Sequence, residues 1–148
     1  MRTTVNLVTV RRLLALCSFL GVAACAYGPS FERYRHLLME KAGKSATDCG
    51  VVGLGEKRSD AIACSRAALD RRLPFVVVFQ VQGFDSQIFQ GLTVDAGGKA
   101  TWIQWDSDSY GGRMHIFTKP WVEERACSRP RIVDAVNPID CPPTQPGG

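Results

Sequence analysis

From Phe75 onward the chain alternates. Phe75, Val77, Phe79 and Val81 interleave with Val76, Val78, Gln80 and Gln82, which predicts a strand buried on both faces at first and wetter later. Gly83-Phe84-Asp85-Ser86 reads as a turn, and Ile88 to Val94 as a second strand. Asp95-Ala96-Gly97-Gly98 is a hairpin signal, because glycine accepts the positive φ such turns need. Thr101 to Trp105 follows as a third strand, then a polar loop from Asp106 to Gly112. Met114 to Thr118 is expected as a fourth, and Ile132-Val133 as a short edge strand.

Upstream the period lengthens. Ser30 is placed to cap a helix running to about Ala42, with Phe31, Tyr34, Leu37 and Leu38 along one stripe and Gly43 at its end. Residues 43–58 read as loop. A second helix is expected from Ser59 as its N-cap, with Asp60 near the positive end of the helix dipole. Ala61, Cys64, Ala68 and Leu69 give it a narrow face of small residues, and Pro74 holds Leu73 out of helical geometry. The expectation is an α+β fold in two layers, one or two helices on an antiparallel β-meander of about four strands, with two disulfides.

Ahead of this domain, Arg11-Arg12 precede an apolar run from Leu13 to Ala24. The run is shorter than the roughly 20 residues a membrane span requires, and Tyr27, Pro29, Glu32 and Arg33 prevent its extension. A positive start, a short apolar middle and small residues at the cut describe a secretory signal peptide. Val22-Ala23-Ala24-Cys25 resembles the lipobox of bacterial lipoproteins, whose signal peptidase leaves the cysteine as an acylated N-terminus. The resemblance implies lipidation of Cys25. Ala26 rather than Asp after it implies attachment to the outer membrane, facing the periplasm. A plain signal peptide with Cys25 as an ordinary thiol is the rival. Each buried methylene contributes about 0.8 kcal/mol and one chain holds only reversibly; the three chains usual in that family would make attachment effectively permanent. The expected organisation is a lipoprotein signal peptide over 1–24, a tether over 25–30, a single domain over 31–141 and a disordered tail over 142–148.

Removing residues 1–24 takes Arg2, Arg11 and Arg12 away, so Lys plus Arg falls from 18 to 15 against 14 acidic residues and the net charge falls from +4 to +1. No basic cluster with interleaved aromatics remains, so nucleic acid is not an expected partner. Cys17 leaves with the signal peptide, leaving Cys49, Cys64, Cys127 and Cys141, an even set suited to an oxidising compartment. Short loops favour Cys49–Cys64 and Cys127–Cys141; closing about 15 residues is worth about 3 kcal/mol by loop entropy. None of the four shows the spacing of roughly two to four residues typical of zinc pairs.

The chemical motifs are weak. Gly43-Lys44-Ser45 lacks the glycine that a phosphate loop needs at position 38, and Gly53-Leu54-Gly55 has Arg58 where a third glycine would stand. Asp106-Ser107-Asp108-Ser109-Tyr110-Gly111 begins like a calcium loop, but Tyr110 and Phe117 occupy two ligand positions. Asp85, Asp106 and Asp108 would share one end of a meander, with their strands about 10 Å apart, as solvated turn carboxylates. His36 and His115 are the only histidines, and no nucleophile elbow is present. Glu123 and Glu124 are adjacent on an extended segment and face opposite ways. No catalytic residue, cofactor or metal site is therefore expected. Trp102, Trp105, Tyr110, Phe117 and Trp121 crowd together. Trp102 and Trp105 must face opposite sides, so on a half-buried sheet at most one is core and the other is a candidate binding anchor. The default reading is that a helix covers one face and the N-terminal helix or the C-terminal disulfide loop the other, which makes both core.

Cys49-Gly50, Ala63-Cys64, Ala67-Ala68-Leu69, Pro74-Phe75, Gln82-Gly83-Phe84-Asp85-Ser86 and Asp106-Ser107-Asp108 together resemble small proteobacterial outer-membrane lipoproteins of unknown function. The resemblance covers residues 48–112 and implies no activity. The α-then-β order is similar to that of outer-membrane assembly lipoproteins, but their strongest motif is not matched. The expectation is a non-enzymatic, lipid-anchored binding or envelope-maintenance module. It would meet an envelope protein or glycan through Asp85, Asp106, Asp108 and Tyr110, or through Trp105. The alternative is a small hydrolase or hydrolase inhibitor acting on envelope polymers.

Overall fold

The computed structural model describes residues 30–108 and 120–142. Its elements are α1 (Phe31–Ala42), β1 (Thr47–Val52), α2 (Ser59–Arg71), β2 (Phe75–Val81), β3 (Ile88–Val94), β4 (Ala100–Asp106), β5 (Trp121–Cys127), β6 (Arg131–Ile132) and β7 (Ile139–Asp140). Five strands form one sheet in the order β1-β2-β3-β4-β5, and β6 pairs with β7 in a small second sheet. From β2 to β5 the sheet is an antiparallel meander. The fold is α+β, and both short-loop disulfides are formed, Cys49–Cys64 and Cys127–Cys141.

Four expectations need correction. Within the stretch read as loop, Thr47–Val52 is a strand, parallel to β2, with a register shift between Asp48 and Val51. Its apolar signal is broken by Asp48 and Gly50, so only pairing with β2 reveals it. The last strand of the meander is Trp121–Cys127; Met114–Thr118 lies outside the described residues. Ile132 does not extend the main sheet but pairs with Ile139. Finally, Ser59 is the first helical residue of α2 rather than its cap, its hydroxyl being engaged with Asp60 Oδ1 at 3.0 Å. By contrast, Ser30 caps α1 through the Arg33 N–H at 3.3 Å.

The layers number three rather than two. Phe75, Val77 and Phe79 point to one face of β2 and pack with Ala61, Ile62 and Ala68 of α2, Trp102 of β4, and Ile132 and Ile139 of the small sheet. Val76 and Val78 point to the other, with Tyr34, Leu38, Ala42, Ile103 and Trp105. A strand whose first five residues are all apolar has two buried faces and so demands a cover on each. Ser65, missed in the sequence, lies fully buried in α2; its hydroxyl donates to Ala61 O at 2.7 Å, so the helix backbone satisfies it.

Gly91 sets the distance between α1 and the sheet. A Cβ at this position would stand 2.6 Å from Tyr34 Oη and 2.8 Å from both Leu38 methyl carbons. The Tyr34 hydroxyl donates to Ile103 O at 2.9 Å, and burial pushes its phenol well up, so it keeps the proton it donates. Gly91→Ala is expected to cost about 1–3 kcal/mol, the usual range for overpacking. Urea unfolding would measure this, and an unchanged midpoint would mean that α1 does not sit where described.

Candidate functional site

Strand register gives the sheet two distinct ends. At one, Val81, Ile88, Asp106 and Trp121 lie in a row; at the other, Phe75, Val94, Ala100 and Cys127 do. The turn over 82–87 closes the first end and the Asp95–Lys99 hairpin the second. In that hairpin Asp95 Oδ1 accepts from the N–H of Gly97 and of Lys99, both at 2.9 Å, with Gly98 at φ 79°.

The first end is where the candidate carboxylates meet. Asp85 is exposed on the turn, Asp106 is buried at the end of β4, and Asp108 is half-buried just beyond it. The Asp106 carboxylate accepts from the Asp108 N–H at 2.9 Å, an Asx turn that satisfies it locally. Ser107 ties this segment to the neighbouring turn: its N–H donates to Gln87 O at 3.0 Å, and its Oγ accepts from the Gln87 N–H at 2.8 Å. The meander thus brings the three aspartates to one end as expected; Asp85 is exposed there, whereas Asp106, expected as a solvated carboxylate, is buried and closes its own turn. Among the described residues no three His, Cys, Asp or Glu side chains converge to hold a metal ion. Tyr110 and His115, like Cys25, lie outside the described residues. His36 is exposed on α1, 4.0 Å from Glu40, and Glu124 pairs with Lys41 at 2.7 Å.

Trp105 is not a surface anchor. It is 6% exposed and Trp102 3%, on opposite faces of β4. Trp105 lies near Phe31 and Phe89, with ring centroids 6.1 and 5.9 Å away. Trp102 carries the Arg125 guanidinium 4.0 Å above its ring, a cation–π contact. The sheet is covered on both sides, so both tryptophans are core.

The exposed apolar residues at this end are different ones. Leu54, in the turn after β1, and Trp121, at the start of β5, are about half exposed, while Phe84 on the β2–β3 turn is fully exposed. In the sequence Leu54 and Phe84 are legible only as turn positions. Their signal was a large apolar residue beside glycine at the tip of a polar turn. α1 begins at the same end, with the Phe31 and Phe89 rings 4.3 Å apart.

At the opposite end, a cavity of about 350 Å³ opens between the end of α2 and the hairpin, lined by Leu69, Leu73, Val94, Pro130, Arg72 and Asp70. Asp70 is exposed on it. Among the described residues no helix is long and apolar enough to cross a membrane. No protein family, curated protein or solved structure matches this chain.

Proposed function

We propose that this chain is an exported, lipid-anchored envelope protein, acylated at Cys25 and held at the periplasmic face of the outer membrane, where it acts as a non-enzymatic binding module. The single observation that carries the reading is the pair of disulfides, Cys49–Cys64 and Cys127–Cys141. They use every cysteine after Cys25, and such pairing belongs to an oxidising compartment. That leaves Cys25, directly behind the signal-like segment, as the lone candidate for acylation. Cys49–Cys64 joins β1 to α2, and Cys127–Cys141 joins the end of β5 to the segment just after β7.

A binding module is favoured over a hydrolase because the sheet end is built from turns. Its buried carboxylate, Asp106, is engaged in its own turn, accepting from the Asp108 N–H at 2.9 Å. An enzyme of this size would more naturally place a desolvated carboxylate in a concave pocket.

The decisive measurement is the intact mass of protein extracted from membranes, before and after reduction. The expected mass begins at Cys25 with acyl groups added. It rises by about 4 Da on reduction, two hydrogens for each disulfide. An unacylated mass would make this a soluble exported domain, and a mass indifferent to reduction would overturn the disulfide framework.

A further inference from the structure

We infer that the sheet end carrying Leu54, Phe84 and Trp121 rests on the bilayer into which Cys25 is acylated, so that the partner of this surface is lipid. The inference rests on the lipid-anchored reading above.

Among the described residues five large hydrophobic side chains are about half exposed or more: Leu54, Leu73, Phe84, Trp121 and Val136. Three of them share this end. Val136 follows Ala135, whose carbonyl accepts from Arg58 Nη1 at 2.8 Å, beside the start of α2 and therefore on the same side. Only Leu73 sits at the hairpin end. The three span the width of that end, Leu54 beyond β1, Phe84 between β2 and β3 and Trp121 on β5, so the end presents a broad apolar-tipped face.

The tips are built. A Cβ on Gly83 would stand 2.3 Å from Ser86 O, so the turn closes tightly behind Phe84, and the Gln87–Ser107 bonds fasten its far side. The Leu54 turn is closed by the Glu56 carboxylate accepting from the Gly53 N–H at 2.8 Å, and Leu54 N–H reaches Gln80 Oε1 at 3.2 Å. Two hydrogen-bonded turns thus hold apolar tips outward.

Chain length selects lipid as the occupant. Five residue steps separate Cys25 from Ser30, and at about 3.6 Å each they span at most about 18 Å. α1 starts at this end, so the tether delivers this end to the membrane before any other. Leucine, phenylalanine and tryptophan are the residues that enter the headgroup boundary on surface-bound elements. Among the described residues the flanking charges are mixed, Glu32, Arg33, Glu56, Lys57 and Asp85, so the contact there rests on the apolar tips and is expected to be indifferent to salt. Docked this way, the cavity at the hairpin end stands about 20 Å off the bilayer, the length of a seven-residue strand.

The test uses the full-length acylated protein in vesicles of phosphatidylethanolamine with a minority of phosphatidylglycerol, with and without brominated acyl chains. Trp102 and Trp105 are buried, so the emission removed by Trp121→Phe is the exposed share. Brominated lipid is expected to extinguish that share, and aqueous iodide to lose access to it, equally at low and high salt. Phe84→Ser should return Trp121 to iodide. If acylated protein in vesicles keeps Trp121 open to iodide and insensitive to bromine, the docking is overturned while the anchor stands. Protection that appears only on adding envelope extract assigns this end to a protein or glycan and also overturns it. A mass without acyl groups on the same preparation overturns the anchored reading itself, and with it the tether that the docking requires.

Discussion

Trp105→Ala is expected to lower stability by about 3–5 kcal/mol, the range for truncating a large buried aromatic. The site cannot collapse easily. Trp105 packs with Phe31 of α1 and Phe89 of β3, and α1 is already seated against Gly91 at the closest distance its side chains allow. The indole therefore leaves a cavity roofed by a helix rather than a gap that neighbours fill. Equilibrium urea unfolding followed by far-ultraviolet circular dichroism measures the loss as a lower midpoint at constant slope. Trp105→Phe, which keeps most of the contact, should cost much less. A loss under about 1 kcal/mol for the alanine variant would return Trp105 to the surface, since exposed substitutions fall within about 0.5 kcal/mol.

Cys49→Ala combined with Cys64→Ala is expected to cost about 2–5 kcal/mol, as for native disulfides of small exported domains. The bond links residues 15 apart, so cutting it restores the freedom of the β1–α2 segment in the unfolded chain. It also has a local consequence. β1 is an edge strand whose register with β2 shifts between Asp48 and Val51. Besides β2 it is held by Val52 packed with α2, by Val51 on the α1 side, by the disulfide, and by the Arg35–Asp48 ion pair at 2.7 Å, a solvent-facing contact of little strength. Hydrogen exchange should therefore show protection lost first and most in Thr47–Val52, with β2 to β4 least affected. Uniform loss across the sheet would mean that β1 is not the element the disulfide secures.

Much of the fold is legible locally. The 3.6-residue stripe of α1 and its Ser30 cap, the period-two run of β2, the Asp95 hairpin and the two short disulfide loops each involve residues at most 15 apart. β1 and β5 were not legible for a common reason. Thr47–Val52 contains Asp48 and Gly50, and Trp121–Cys127 contains Glu123, Glu124 and Arg125, so neither shows an apolar alternation. Their polar side chains find partners on distant elements: Asp48 with Arg35, Glu124 with Lys41 and Arg125 over Trp102.

The candidate site divides in the same way. Convergence of Asp85, Asp106 and Asp108 followed from the meander alone, because consecutive antiparallel strands return alternate turns to the same end. The sequence by itself determined the helices, the central three strands and the grouping of those carboxylates, and it favoured the cysteine pairing through short loop closure, which the structure then fixed. Only the tertiary structure decided which elements cover each face, α1 on one and α2 with the small sheet on the other, which makes Trp102 and Trp105 core together. It alone placed Leu54, Phe84 and Trp121 at one end of the sheet, the end where α1 begins. Burial and adjacency depend on which elements pack across the sheet, and that is settled by contacts between residues tens of positions apart.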